Sequence, residues 1–144
     1  MAETKVAPQY LKIEITESIL QNIDKTLKVL NQLKELGIQI AIDDFGTGYS
    51  SLSYLKNLPV SCLKIDKAFI DELTLNPDGP IVKTIIDMGR NMNFTVIAEG
   101  IESEEHVAYL RKNNCFVGQG YLFSKPLPAY ELEQFFQQQA MRIS

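Results

Sequence analysis

Apolar positions along the chain follow two alternating regimes. Short runs rich in β-branched residues read as strands, and stretches with apolar residues three and four apart read as amphipathic helices. Tyr10 to Ile15 predicts the first strand. A helix is predicted from Ile23 to Leu36, with Ile23, Leu27, Leu30 and Leu33 on one face, Asn22 as N-cap and Gly37 as stop. Ile38 to Asp43 predicts a second strand. A glycine-containing loop and a short helix around Leu52 to Leu58 follow, and Pro59 precedes a third strand, Ser61 to Ile65. The turn Asn76-Pro77-Asp78-Gly79 leads to a helix whose apolar face is Ile81, Val82, Ile85, Ile86 and Met92. Phe94 to Ala98 reads as the fourth strand, Ser103 as the cap of a helix to about Asn113, and Cys115 to Gly118 as a short fifth strand. A closing helix presents Leu132, Phe135 and Phe136.

Helical spacers forbid hairpins, so the five strands read as successive right-handed βαβ units in a parallel sheet. A closed eight-unit barrel takes about 250 residues, roughly 30 per unit, so five units predict a chain of about 150. The expected fold is therefore α/β: a partial TIM-like (β/α) barrel of about five parallel units out of eight. An open doubly wound sheet fits the same count, but nothing after the first strand resembles its dinucleotide fingerprint. In a part-barrel the first and last strands would expose edges, and interior side chains, including Ile13, Ile40, Leu63 and Val96 or their strand neighbours, would meet water. Self-association, most simply as a homodimer, is the expectation that follows.

Composition narrows the function classes. The 144 residues are 45% hydrophobic and 22% charged, which suits an ordinary globular domain. Fourteen Lys and Arg stand against 18 Asp and Glu, a net charge of −4, so no basic field invites a nucleic-acid polymer. No apolar run approaches the roughly 20 residues of a membrane span, and Met1 to Lys5 lack the apolar stretch of a signal peptide. A cytoplasmic location without membrane contact by this segment is expected. Cys62 and Cys115 sit singly in apolar segments, which suits buried reduced thiols. His106, the one histidine, lies in the polar stretch Ser103-Glu104-Glu105-His106 and reads as a surface residue.

The unusual polar residues share a phase. Glu14 and Glu17 end the first strand, Asp43 and Asp44 the second, Lys64 and Asp66 the third, Glu99 and Glu102 the fourth, and Gln119 the fifth. In a barrel those carboxyl ends form one face, where active sites sit. Converging carboxylates without cysteine or histidine make a hard, oxygen-rich site suited to Mg²⁺ or Mn²⁺, and crowded carboxylates repel unless a cation intervenes. With one lysine added, these are ingredients for hydrolysing a phosphate ester. Each residue also has a plain structural reading. Glu14 can be a polar strand end, Asp43-Asp44 a turn or helix cap, Lys64 a partner of Asp66, and Gln119-Gly120 the end of a strand. Gly46-Thr47-Gly48 alone is weak evidence for phosphate binding.

In order, the segments Glu14-Ile15-Thr16-Glu17-Ser18, Asp43 through Leu52, Leu63-Lys64-Ile65-Asp66, Ala98-Glu99-Gly100-Ile101-Glu102 and Gly118-Gln119-Gly120-Tyr121 closely resemble the EAL domain family, and Phe123 through Leu127 fits too. The resemblance spans about Tyr10 to Phe136. It implies a TIM-like barrel that hydrolyses cyclic di-GMP to linear pGpG with two Mg²⁺ or Mn²⁺ ions and a metal-bridging water. By matching motif, it implies Glu14, Asp43 and Asp44 as metal ligands, Asp43 bridging, and Lys64 as the catalytic lysine. It implies Glu99 as a catalytic-site carboxylate that orients water or that lysine. Gln119, Glu17, Glu102 and Asp66 take substrate-side or supporting places, with Glu17 anchoring the loop after Asp44 and Glu102 the end of its strand. The loop from Phe45 to Ser51 resembles the one that leads to the family's dimer interface.

The Glu-Ala-Leu signature and the asparagine ligand of the following strand occur nowhere in this sequence. The expected organisation is a remnant of a preceding helix and loop over 1–9 and the C-terminal part of an EAL domain over 10–144. The intact parent is expected to be a cyclic di-GMP phosphodiesterase and the isolated piece inactive. Its partners would be cyclic di-GMP and either the missing N-terminal part of the barrel or a second copy. A non-catalytic cyclic di-GMP-binding or dimerisation module is the alternative. A two-carboxylate glycosidase is a third reading, opposed by the ordered motifs.

Overall fold

In the computed structural model, residues 5–16, 23–46 and 55–143 are described. The chain enters through a 3₁₀ turn, Pro8–Tyr10, whose proline presets the first φ. The elements that follow are β1 (Lys12–Thr16), α1 (Ile23–Glu35), β2 (Gln39–Phe45), β3 (Cys62–Ile65), α2 (Lys67–Glu72) and α3 (Pro80–Asn91). They continue with β4 (Thr95–Ala98), α4 (Glu104–Lys112), β5 (Val117–Gly118) and α5 (Ala129–Ile143).

The five strands form one parallel sheet in the order β1-β2-β3-β4-β5. That sequential order decides between the two architectures left open by the pattern. A doubly wound sheet reverses its strand order at a switch point, whereas same-handed crossovers that always step to the next strand keep their helices on one face. The sheet is accordingly a barrel-type arc with β1 and β5 at its edges.

The helix side holds the main core. Ile15, Ile40, Ile42, Leu63, Ile65, Val96 and Ala98 from the strands cluster with Leu30 of α1, Val82, Ile85 and Ile86 of α3, and Leu110 of α4. Ile40, Leu63 and Val96 therefore face the helices, and of the two sets expected toward the barrel interior it is their strand neighbours that lie on the other face. The opposite face carries a small cluster of Ala41, Cys62 and Ile97. Parallel register places Ala41 beside Cys62 and Glu14, and Lys64 beside Ile97, so the polar site residues and this small cluster share a face.

Several boundaries differ from the sequence reading for local reasons. Tyr10 and Leu11 precede β1 because the Pro8 turn occupies that stretch. Helix α2 has six residues, too few to display a helical period, and Asp66 starts it by accepting the Ala68 N–H at 2.6 Å. Gly37 ends α1 as expected, at φ 86°. Asn22, Glu17 and the stretch from Thr47 to Tyr54 lie outside the described residues. His106 is buried, 5% exposed, and not on the surface. Its Nε2 lies 3.4 Å from Thr74 Oγ1, and its Nδ1 accepts the Glu102 N–H at 3.4 Å.

Candidate active site

Each strand delivers one part of a single cluster, Glu14 from the middle of β1 and the others at or just beyond the carboxyl halves of their strands. Lys64 of β3 is 4% exposed, and its ammonium stands 2.8 Å from Glu14 Oε2 of β1, 2.8 Å from Asp43 Oδ1 of β2 and 2.7 Å from Glu99 Oε1 just beyond β4. Gln119, just beyond β5, donates its Nε2–H to the same Glu99 oxygen at 2.7 Å. These contacts bring together Glu14, Asp43, Lys64, Glu99 and Gln119 from the sequence-derived set.

Adjacent residues of a regular strand point to opposite faces, so Asp43 and Asp44 could not both serve one site without a local irregularity. The β2–β3 register supplies it. Ile42 pairs with Leu63 and Phe45 with Ile65, so two aspartates oppose the one residue Lys64. Asp44 takes φ 52°, a left-handed conformation that aspartate tolerates better than most residues. The bulge leaves one carboxylate oxygen from each of Asp43, Asp44 and Glu99 within 4.8 Å of one another. Three half-buried carboxylates at that spacing form an oxygen-donor set fit for a divalent cation.

The electrostatics match such a set. Burial alone would lower the Lys64 pKa, but the close carboxylates of Asp43, Glu14 and Glu99 outweigh it and hold the group above the ordinary lysine value. Burial pushes the Glu99 carboxyl up against the opposing pull of Lys64, and burial followed by the neighbouring Asp43 charge raises Asp44. Asp43 Oδ1 is buried and, although Lys64 lies 2.8 Å away, receives no hydrogen bond of acceptable angle. The pair is held by charge, and that oxygen keeps lone-pair capacity for a cation.

Asp66 and Glu102 make their contacts outside the Lys64 cluster. Asp66 does not pair with Lys64; it caps α2 and meets the Asp44 side chain. Glu102 is bound by Lys67 at 2.9 Å, a residue that sequence reasoning passed over. Its available signal was the i,i+4 pair Lys67–Asp71. Beside Gln119 opens a cavity of about 470 Å³ that reaches Lys67, Tyr121, Ser124 and Lys125, within the size range of small-ligand pockets. A larger cavity, about 550 Å³, lies past Glu102 around His106 and Tyr109 and includes no member of the Lys64 cluster. Position therefore favours the smaller one for chemistry.

Comparison with known proteins gives one consistent answer. The EAL domain family model matches residues 1–126. Over 137 residues the chain is 44% identical to the cyclic di-GMP phosphodiesterase NbdA of Pseudomonas aeruginosa, covering 94% of this chain and 18% of NbdA. The structure of PaMucR phosphodiesterase in its c-di-GMP complex superposes with a TM-score of 0.87 at 44% identity, over 91% of this chain and 54% of that one. Klebsiella pneumoniae BlrP1, solved in a manganese and c-di-GMP complex, gives 0.78 at 32% identity, over 87% and 32%. The chain thus spans about a fifth of the curated relative and about half or less of these solved chains.

Proposed function

The chain belongs to the EAL domain family, and from that membership we propose that it carries most of the active site of a cyclic di-GMP phosphodiesterase. The observation that bears most weight is the Lys64 ammonium held among Glu14, Asp43 and Glu99, with the β2 bulge adding Asp44. The reaction adds water across one P–O3′ bond of the cyclic dinucleotide and yields linear pGpG. On this reading Glu14, Asp43 and Asp44 hold Mg²⁺ or Mn²⁺, and the spacing of Asp43, Asp44 and Glu99 supports adding Glu99 to that set. When bound, such ions would withdraw charge from the phosphoryl oxygens and activate water. Lys64 supplies a fixed positive charge toward the phosphoryl group, and Glu99, oriented by Gln119, holds that lysine in place.

Five strands and the share of the solved chains covered support the further reading that the segment is part of a larger barrel and is inactive by itself. Edge strands β1 and β5, with exposed Ile13, Phe116 and Val117, favour a homodimer or cover by the rest of the barrel. The same edges are what a non-catalytic binding or dimerisation module would use. Two free buried cysteines suit the reducing cytoplasm, and among the described residues no helix is long and apolar enough to cross a membrane. Hydrolysis of cyclic di-GMP by the parent protein tests the proposal. Production of pGpG should stop in Asp43→Asn, because a neutral amide removes charge compensation for the cation. Wild-type turnover in that variant would overturn the assignment, and steady pGpG release by the isolated chain, lost in Lys64→Ala, would overturn its inactivity.

A further inference from the structure

We propose that Lys67 is a positioning residue for the Lys64 cluster, pinning the turn after β4 so that the Glu99 carboxylate faces Lys64 and Gln119. The inference deepens the active-site reading above and rests on it for its functional meaning. Its starting point is Gly100, which follows Glu99 directly. Gly100 adopts φ 68°, and a Cβ there would stand 2.3 Å from Lys67 Cγ. Glycine grants the left-handed turn and the close approach, but it supplies no rigidity, since it has the widest backbone freedom of any residue. Rigidity has to come from what lies against it.

Three backbone hydrogen bonds hold the surrounding segment. Glu99 N–H donates to the Ile65 carbonyl at 3.2 Å, Ile101 N–H to the Gln119 carbonyl at 3.0 Å, and Gln119 N–H to the Ala98 carbonyl at 2.8 Å. Between the first two lies Gly100, and there the Lys67 stem covers the chain. Its ammonium then ties the far end of the turn to α2, donating to Glu102 Oε1 at 2.9 Å and to Asp71 Oδ1 at 2.7 Å. Asp66 fixes where Lys67 stands by capping α2 one residue earlier. Lys67 thus connects the β3–α2 turn to the β4–α4 loop, one residue from Glu99.

Both ion pairs of Lys67 are half exposed and screened by solvent, so their contribution to global stability is small. A positioning role therefore separates from a structural one: the local geometry at Glu99 changes while the melting temperature hardly moves. The test compares Lys67→Arg, which keeps stem and charge, Lys67→Met, which keeps stem alone, and Lys67→Ala, in the full 144-residue chain. The readout is the Gln119 side-chain amide in ¹⁵N-resolved NMR, which reports its bond to Glu99, together with Mn²⁺ affinity by electron paramagnetic resonance.

Arg should preserve the Gln119 signal. Met should shift it and weaken Mn²⁺ about threefold, and Ala should broaden or displace it further with a loss of up to about tenfold, the lower bound for direct partners of metal ligands. The double variant Asp71→Asn, Glu102→Gln, which leaves Lys67 itself intact, should reproduce the Met result and carries the test if Lys67→Ala fails to fold. An unchanged Gln119 amide in folded Lys67→Met and in the double variant would overturn the proposal. A parent protein without cyclic di-GMP hydrolysis would strike the functional reading and leave the Gln119 result standing.

Discussion

Replacing Lys64 by Met removes one charge and keeps most of the side-chain volume, which isolates the role of the ammonium in a site crowded with carboxylates. The oxygens of Glu14, Asp43 and Glu99 all stand 2.7 to 2.8 Å from the same nitrogen, so once it is gone they face one another across a short gap. Two like charges at about 4–5 Å repel by about 3–4 kcal/mol at an effective dielectric constant near 20. Breaking a buried ion pair from one side costs about 3–5 kcal/mol. Here the Glu14 side chain is 45% exposed and screened by solvent, so the loss should fall to about 2–3 kcal/mol. For a chain of this size that is a fall in Tm of about 5–10 °C in EDTA. Mn²⁺ should then restore Lys64→Met by more than it raises the wild type, because a cation competes with the native ammonium but fills a deficit in the variant. Paired thermal melts in EDTA and in Mn²⁺ decide it. Equal melting temperatures in EDTA, or equal Mn²⁺ increments in both proteins, would refute the reasoning.

Two further expectations concern the supporting frame. In Gly120→Ala a Cβ would stand 2.1 Å from the Ile101 carbonyl oxygen and 2.2 Å from its nitrogen, and backbone cannot swing aside as a side chain can. Stability should fall by about 1–3 kcal/mol in urea melts and the Gln119–Glu99 bond should be lost; coincident melts would show that the contact is easily relieved. Burial pushes the Cys115 thiol pKa up, so its thiolate fraction at pH 8 lies below that of free cysteine. Alkylation by iodoacetamide, followed by mass spectrometry, should run far more slowly at Cys115 in the folded chain than in denaturant, and equal rates would contradict the burial.

The strands were legible because their apolar runs are long relative to their turns, and the parallel sheet followed from the helical spacers. Their facing was less so. Ile40, Leu63 and Val96 look like natural fillers of a barrel interior, yet they pack under the helices. The period of two in a strand held the missing information: if Lys64 reaches the site, its neighbours Leu63 and Ile65 must point away from it. His106 offers a similar lesson on a helix. Its polar neighbours suggest the surface, but it stands four residues before buried Leu110, one turn earlier on the same face of α4.

The site was legible as a list and not as a set of contacts. That Glu14, Asp43, Lys64, Glu99 and Gln119 lie on or just beyond successive strands is a property of sequence order, and parallel pairing then forces them to one end of the sheet. Which carboxylates meet Lys64 depends on angles that sequence order does not contain. Asp66, two residues along, looks like the nearest partner, but the chain has already turned into α2 there and needs Asp66 as its cap. The bulge at Asp43-Asp44 is equally hidden, since it exists only as a mismatch between two strands far apart in sequence. These two local events together select the cluster: one withdraws a carboxylate from Lys64, and the other places two carboxylates opposite it.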